Sequence, residues 1–156
     1  MPLTANRVSF TVLAKSMRIS AEFYRELAGF QQVEATDWYI VLRSPDGMEI
    51  AFADEVSEFT PRHAWGVLQG VYLSIQVDDI LAAVERARAM GVEVIDAPRA
   101  MEYGATRALV RDPNNLIVEL LTPTAALQAR SDVRFAPTAK DPAIDQQQPE
   151  ENADHT

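Results

Sequence analysis

Apolar and polar positions alternate from Val8 to Thr11 and on to Val12, with Val8, Phe10 and Val12 set against Ser9 and Thr11, the two-residue period of a half-buried strand. The period then changes. Ser16 has the side chain of an N-cap, Ile19, Phe23 and Leu27 recur on one helical face, and Gly29 is where such a helix stops. Residues 31–36 and 38–43 read as strands meeting at Asp37, Ser44-Pro45-Asp46-Gly47 as a hairpin turn, and 48–53 as a closing strand. The same order then recurs. A strand over 71–77 is followed by Asp78 or Asp79 as N-cap, by Ile80, Ala83, Val84 and Ala87 on one helical face, and by Gly91. The turn Arg111-Asp112-Pro113-Asn114-Asn115 takes the place of Arg43-Ser44-Pro45-Asp46-Gly47, and an apolar run from Leu116 to Leu121 follows it. A unit this short cannot bury its own apolar face, so two copies must pack together or against a partner chain.

The reading divides the chain into a first unit at 1–54, a linker at 55–69 carrying Pro61, His63 and Trp65, a second unit at 70–123, a short helix at 124–130 and a tail at 131–156. Proline, glutamine and acids dominate the tail, a composition that predicts disorder. The fold class is α+β, two units of strand, helix and three strands (βαβββ), read as half-domains sharing a sheet. In the second unit the connection holding Pro98, Met101, Tyr103 and Gly104 reads as long, the sort of loop that sits over a binding cleft. Alternation gives each strand two faces without saying which is inward.

At 156 residues and 47% apolar content the chain can bury a sizeable core. It has no apolar run of membrane-spanning length and no leader pattern, so a soluble, cytoplasmic protein is expected. Zero cysteines remove disulfides, thiolate metal sites and a cysteine nucleophile together. The formal charge of -9 argues against nucleic acid or anionic membrane as a partner. About -4 of it lies in the tail, where Asp132, Asp141, Asp145, Glu150, Glu151 and Asp154 outweigh Arg134 and Lys140.

Phe23-Tyr24-Arg25-Glu26-Leu27-Ala28-Gly29-Phe30, Val77-Asp78-Asp79, Gly91-Val92-Glu93-Val94 and, most specifically, Arg111-Asp112-Pro113-Asn114-Asn115-Leu116-Ile117-Val118-Glu119-Leu120 resemble the vicinal oxygen chelate superfamily. This is the family of glyoxalases, bleomycin resistance proteins and extradiol dioxygenases, and the likeness runs over about residues 6 to 123. The resemblance implies that each unit forms half a barrel, that paired halves enclose a cleft, and that the protein is a homodimer. Metal-dependent members hold a divalent ion on four strand positions, which fall here on Ser9, Ala51, Tyr72 and Glu119. Only Glu119 is a strong ligand, and a divalent ion needs at least three. The expectation is a cleft without metal. A site completed by Glu49, which shares a strand face with Ala51, or by His63 if the linker folds back, is the alternative. His63 otherwise reads as a solvated loop histidine, and His155 falls in the tail.

The resemblance then implies a small-molecule binding protein that holds an aromatic or cationic compound, such as an antibiotic. Ser9, Thr11, Trp38, Glu49, Trp65, Tyr72, Tyr103 and Arg107 are the candidate ligand contacts. Aromatic faces stack on planar ligands and attract cations at about 1 kcal/mol per contact, although each of these rings serves equally well in a core or an interface. Mild acidity, with Glu49 and Glu119 inside the cleft, would favour a basic ligand. The competing reading is a lyase, isomerase or dioxygenase-like enzyme in which Glu119, raised in pKa by burial unless paired, acts as base and Arg107 steadies an oxyanion. The same pair equally reads as a buried ion pair without turnover. A third class, an interaction scaffold, requires an exposed apolar or charged stripe that the sequence does not display.

Overall fold

A computed structural model describes residues 2–130. The tail and its expected disorder, with His155, lie outside the described residues. The first unit comprises β1 (Ser9–Ala14), α1 (Met17–Ala28), β2 (Gln31–Ala35), β3 (Tyr39–Arg43) and β4 (Glu49–Asp54). A 3-10 turn at Arg62–Ala64 interrupts the linker. The second unit comprises β5 (Tyr72–Gln76), α2 (Ile80–Ala89), β6 (Val94–Ala100), β7 (Ala105–Arg111) and β8 (Ile117–Pro123), and α3 (Thr124–Gln128) follows.

The units do not share a sheet. Each builds its own four strands, in the orders β1-β4-β3-β2 and β5-β8-β7-β6. Its first and fourth strands run parallel, because the helix carries the chain back over the sheet, and the other neighbours are antiparallel.

Local chemistry sets the element ends. Ser16, in extended conformation, accepts the Ile19 N–H, and Gly29 ends α1 at φ 69°. Asp79, and not Asp78, caps α2 by accepting from Leu81 and Ala82 at 3.1 Å each. Gly47 and Asn115 fill equivalent places in the two closing turns, both left-handed, at φ 98° and 66°. Asparagine is among the few side chains that tolerate that conformation. The long connection expected around Pro98 is shorter than the composition suggested. Pro98 lies inside β6, an edge strand, within the register shift between Asp96 and Arg99, where a residue without an N–H is tolerated. The turn that remains spans Met101 to Gly104.

Val12, Ala14, Leu42, Ile50 and Phe52 of the first sheet and Ala108, Val110, Val118 and Leu120 of the second belong to one buried cluster with Phe23, Tyr24 and Leu27 of α1 and Ile80, Val84 and Ala87 of α2. Each large apolar side chain buried there contributes about 1.5–3 kcal/mol. α1 covers the first sheet, α2 covers the second, and the helices pack on each other. The Tyr24 hydroxyl donates to Asp112 at 2.7 Å and Asn114 donates to Ser20 at 2.9 Å, so α1 is also fastened to the β7–β8 turn. The alternation question is thereby answered: Val12 and its row face the helices, and Ser9, Thr11 and theirs face away. Among the described residues, no helix is long and apolar enough to cross a membrane.

Candidate functional site

The faces turned away from the helices carry the polar residues. On the first sheet the register sets Ser9 beside Glu49 and Arg43, Thr11 beside Ala51 and Val41, and Leu13 beside Ala53 and Tyr39. Val41, Ala51 and Ala53 form a buried floor, while Ser9 and Thr11 are exposed at its edge. Glu49, only 5% exposed, is clasped by Arg7, whose Nε and Nη2 donate to its two oxygens at 2.6 and 2.7 Å. Arg43 stands 3.7 Å away and Glu34 lies 3.4 Å from Arg7. The Arg7 guanidinium holds the Glu49 carboxyl below the usual carboxylate range, and Glu49 in turn raises Arg7.

On the second sheet three rows cross the outer face. Tyr72, Ile117 and Arg111 form one; Ser74, Glu119, Leu109 and Asp96 the next; Gln76, Leu121, Arg107 and Arg99 the third. Ser74 donates to Glu119 at 2.8 Å, and Arg107 Nη1 lies 3.8 Å from the other carboxylate oxygen. The Arg107 and Glu119 side chains are 12% and 10% exposed, so this pair is partly desolvated. Arg111 turns aside to Glu93 at 2.9 Å.

The structure therefore brings Ser9, Thr11 and Glu49 together on one sheet and Tyr72, Arg107 and Glu119 on the other. Trp38 instead joins Tyr39 and Phe59 in an aromatic group with centroids 5.3 and 5.4 Å apart. Trp65 sits in the linker under the Arg62 guanidinium at 4.9 Å, and Tyr103 is exposed in the β6–β7 turn. The expectation of an acidic outer face assumed unpaired carboxylates, but both Glu49 and Glu119 have arginine partners. Sequence reasoning missed Arg7, Arg43, Ser74 and Arg99. Arg7 precedes Ser9 by two and Ser74 follows Tyr72 by two, so extending the strand alternation by one step would have found both.

The register also separates the four positions considered for a metal. Ala51 pairs with Thr11 and Glu119 with Ser74, leaving Ser9 and Tyr72 one row away from each. Ala51 has no donor atom, and the Glu119 carboxylate is engaged by Ser74 and Arg107. His63 is exposed in the 3-10 turn, and among the described residues no three His, Asp or Glu side chains cluster as a metal site. The donor set of one chain does not fit a resident divalent ion.

A groove of about 990 Å³ runs along the seam between the units, bounded by Leu27, the β3–β4 turn, β5 and Asp79. Glu49, Arg107 and Glu119 do not line it.

The sequence pattern of the Glyoxalase/Bleomycin resistance protein/Dioxygenase superfamily matches residues 7–120, and the chain belongs to this family. A glyoxalase/bleomycin resistance protein/dioxygenase family enzyme from Burkholderia phytofirmans PsJN is similar in structure at TM-score 0.61 and 20% identity, covering 74% of this chain and 96% of that one. The fosfomycin resistance protein FosX from Listeria monocytogenes gives TM-score 0.61 at 15% identity over 77% and 94% of the two chains. Lactoylglutathione lyase from Agrobacterium tumefaciens gives 0.59 at 18% over 80% and 97%. At these identities the likeness is one of fold. No curated protein sequence matches the chain closely enough to count as a relative.

Proposed function

We propose that the protein holds a small organic molecule in a cleft formed between two copies of the chain, the first unit of one facing the second unit of the other, without a resident metal. The observation that carries this reading is the place of the helices. Since α1 and α2 cover one face of their own sheets and pack on each other, the opposite face of each sheet is left uncovered by helix, where a second copy would close over a ligand. The linker supports the same arrangement. Val56, Phe59, Trp65, Val67 and Leu68 are exposed along it and Val71 just after it, apolar surface that a second copy would cover. Buried areas on the order of 1,200–2,000 Å² suffice for a stable pair.

The neighbours' printed activities differ, resistance in one and lyase in another, so they supply no substrate for this chain. Glu119, engaged by Ser74 and set against Arg107, has the arrangement of a structural ion pair, and among the described residues no second group is placed as its acid partner. Holding without turnover is the reading that this geometry favours. It is tested by a melting-temperature screen of aromatic compounds and antibiotics, followed by chromatography of any hit after long incubation. A saturable stabilisation with the compound recovered unchanged is expected. Conversion to product would replace the binding role with an enzymatic one.

A further inference from the structure

Arg99 and Arg107 are direct register partners on neighbouring strands, on the outer face of the second sheet. Like charges placed opposite each other on a sheet repel, and both are at least half-buried, where the repulsion is less screened. Negative charge nearby offsets that repulsion. Among the described residues, Glu119 and Asp96 are the acids of these strand rows, and both lie in the row behind. Glu119 meets Arg107 at 3.8 Å, beyond hydrogen-bond length, while its other oxygen takes the Ser74 hydroxyl. On the first sheet, by contrast, Glu49 is locked into both donors of Arg7. The Arg7–Glu49 contact is thus the closer of the two. Neither Arg99 nor Arg107 lacks a partner within the chain, so an incoming anion would exchange with existing contacts.

We infer that Arg99 and Arg107 bind the acid group of an amphiphilic small molecule, an aromatic or aliphatic carboxylate whose apolar body lies toward the β6–β7 turn. Two guanidinium groups side by side offer paired donors that match a carboxylate, and partial burial strengthens each charge-assisted bond. The direction follows from what flanks the row. Behind it Glu119 and Asp96 repel an anion. Ahead of it stand Ala105 and Pro123, register partners on β7 and β8, and then the exposed ring of Tyr103 in the turn. Leu121, half-buried between Gln76 and Arg107, supplies an apolar floor. This rests on the cleft reading above and reverses the ligand charge that two unpaired glutamates would have selected.

The test uses three probes that share a ring and differ in charge, namely benzoate, benzamide and benzylammonium. Each is titrated into the full chain at matched ionic strength and followed by amide and arginine side-chain chemical shifts. Benzoate is expected to give the tightest saturable shifts, at the Arg99 and Arg107 side chains and the 101–105 turn. Arg107→Gln, or the edge-strand variant Arg99→Gln if the first folds poorly, should weaken it by about tenfold or more. Arg88→Gln, which removes the same charge from an exposed position on α2, should not. Preferential binding of benzylammonium, or benzoate binding indifferent to both substitutions, overturns the inference and leaves the cleft reading intact. Failure of all three probes to bind also overturns the inference, while the wider compound screen decides the cleft reading.

Discussion

Tyr24 shows how one atom can join two halves of a molecule. Its ring packs against Phe23, Phe30 and Phe52 inside the core, with centroids 4.8 to 5.7 Å away. Its hydroxyl crosses to Asp112 of the other unit, which also accepts the N–H groups of Asn114 and Leu116. Burial raises both the Tyr24 phenol and the Asp112 carboxyl from their ordinary values, the hydrogen bonds to Asp112 opposing the latter. Removing the donor in Tyr24→Phe should cost about 1–3 kcal/mol in urea unfolding, and Asp112→Ala more, since three donors are then left buried without an acceptor. Acidification separates Asp112 from Glu49. With its folded-state value raised, Asp112 stabilises fully below the unfolded carboxylate range and loses that contribution as pH rises through the raised value. Glu49, lowered by Arg7, contributes above the unfolded value and loses the contribution as pH falls through the lowered one. The urea-midpoint advantage of wild type over Glu49→Gln should therefore narrow on acidification, and its advantage over Asp112→Asn should widen. A constant difference for Glu49→Gln would mean that the Arg7 pair adds no stability.

At the scale of elements, the caps and turns carry information that is both local and testable. Asp79 satisfies two free N–H groups at the start of α2 and takes the Arg130 guanidinium at 2.7 Å, so it ties the helix start to the chain just beyond α3. Asp79→Ala should lower stability by about 1–2 kcal/mol, read as a drop in melting temperature. At Asn115, Gly should be tolerated and Val should cost about 1–2 kcal/mol, because a β-branched side chain clashes in the left-handed conformation that both closing turns adopt. If Val were as stable as Gly, the turn would not need that conformation. These elements were legible because capping and periodicity are written within a few residues of each other. Pro98 was less so. A proline signals an interruption, but only the position of β6 at the sheet edge shows that a strand can pass through it.

For the whole molecule, the proposed exchange of halves predicts a dimer of the 17.3 kDa chain by light scattering. A complementation test is sharper. Thr11→Trp obstructs the outer face of the first sheet and Ser74→Trp that of the second, so each homodimer should lose ligand stabilisation. A mixed dimer retains one intact pair of faces if the cleft joins different copies and none if it lies within one chain. Recovery of about half the binding capacity is the expected result; no recovery would place both faces of the cleft in a single chain. Metal analysis of protein purified without a histidine tag should give well under one divalent ion per chain, because one glutamate at the four strand positions cannot compete with water. A stoichiometric ion would mean that residues from a second copy complete the set.

The order of elements, the internal repeat, the cap at Ser16 and the poverty of metal donors at Ser9, Ala51 and Tyr72 were determined by the sequence itself, since each depends on residue type and short spacing. The tertiary structure decided which strand face lies outward, that Arg7 clasps Glu49 across 42 positions, and that Tyr24 meets Asp112 across 88. It also turned two apparently bare carboxylates into ion pairs and set each helix on the opposite face of its own sheet. The reason is physical. Period and propensity act between near neighbours, whereas charge pairing and the choice of buried face depend on which distant segments the collapsed core brings together.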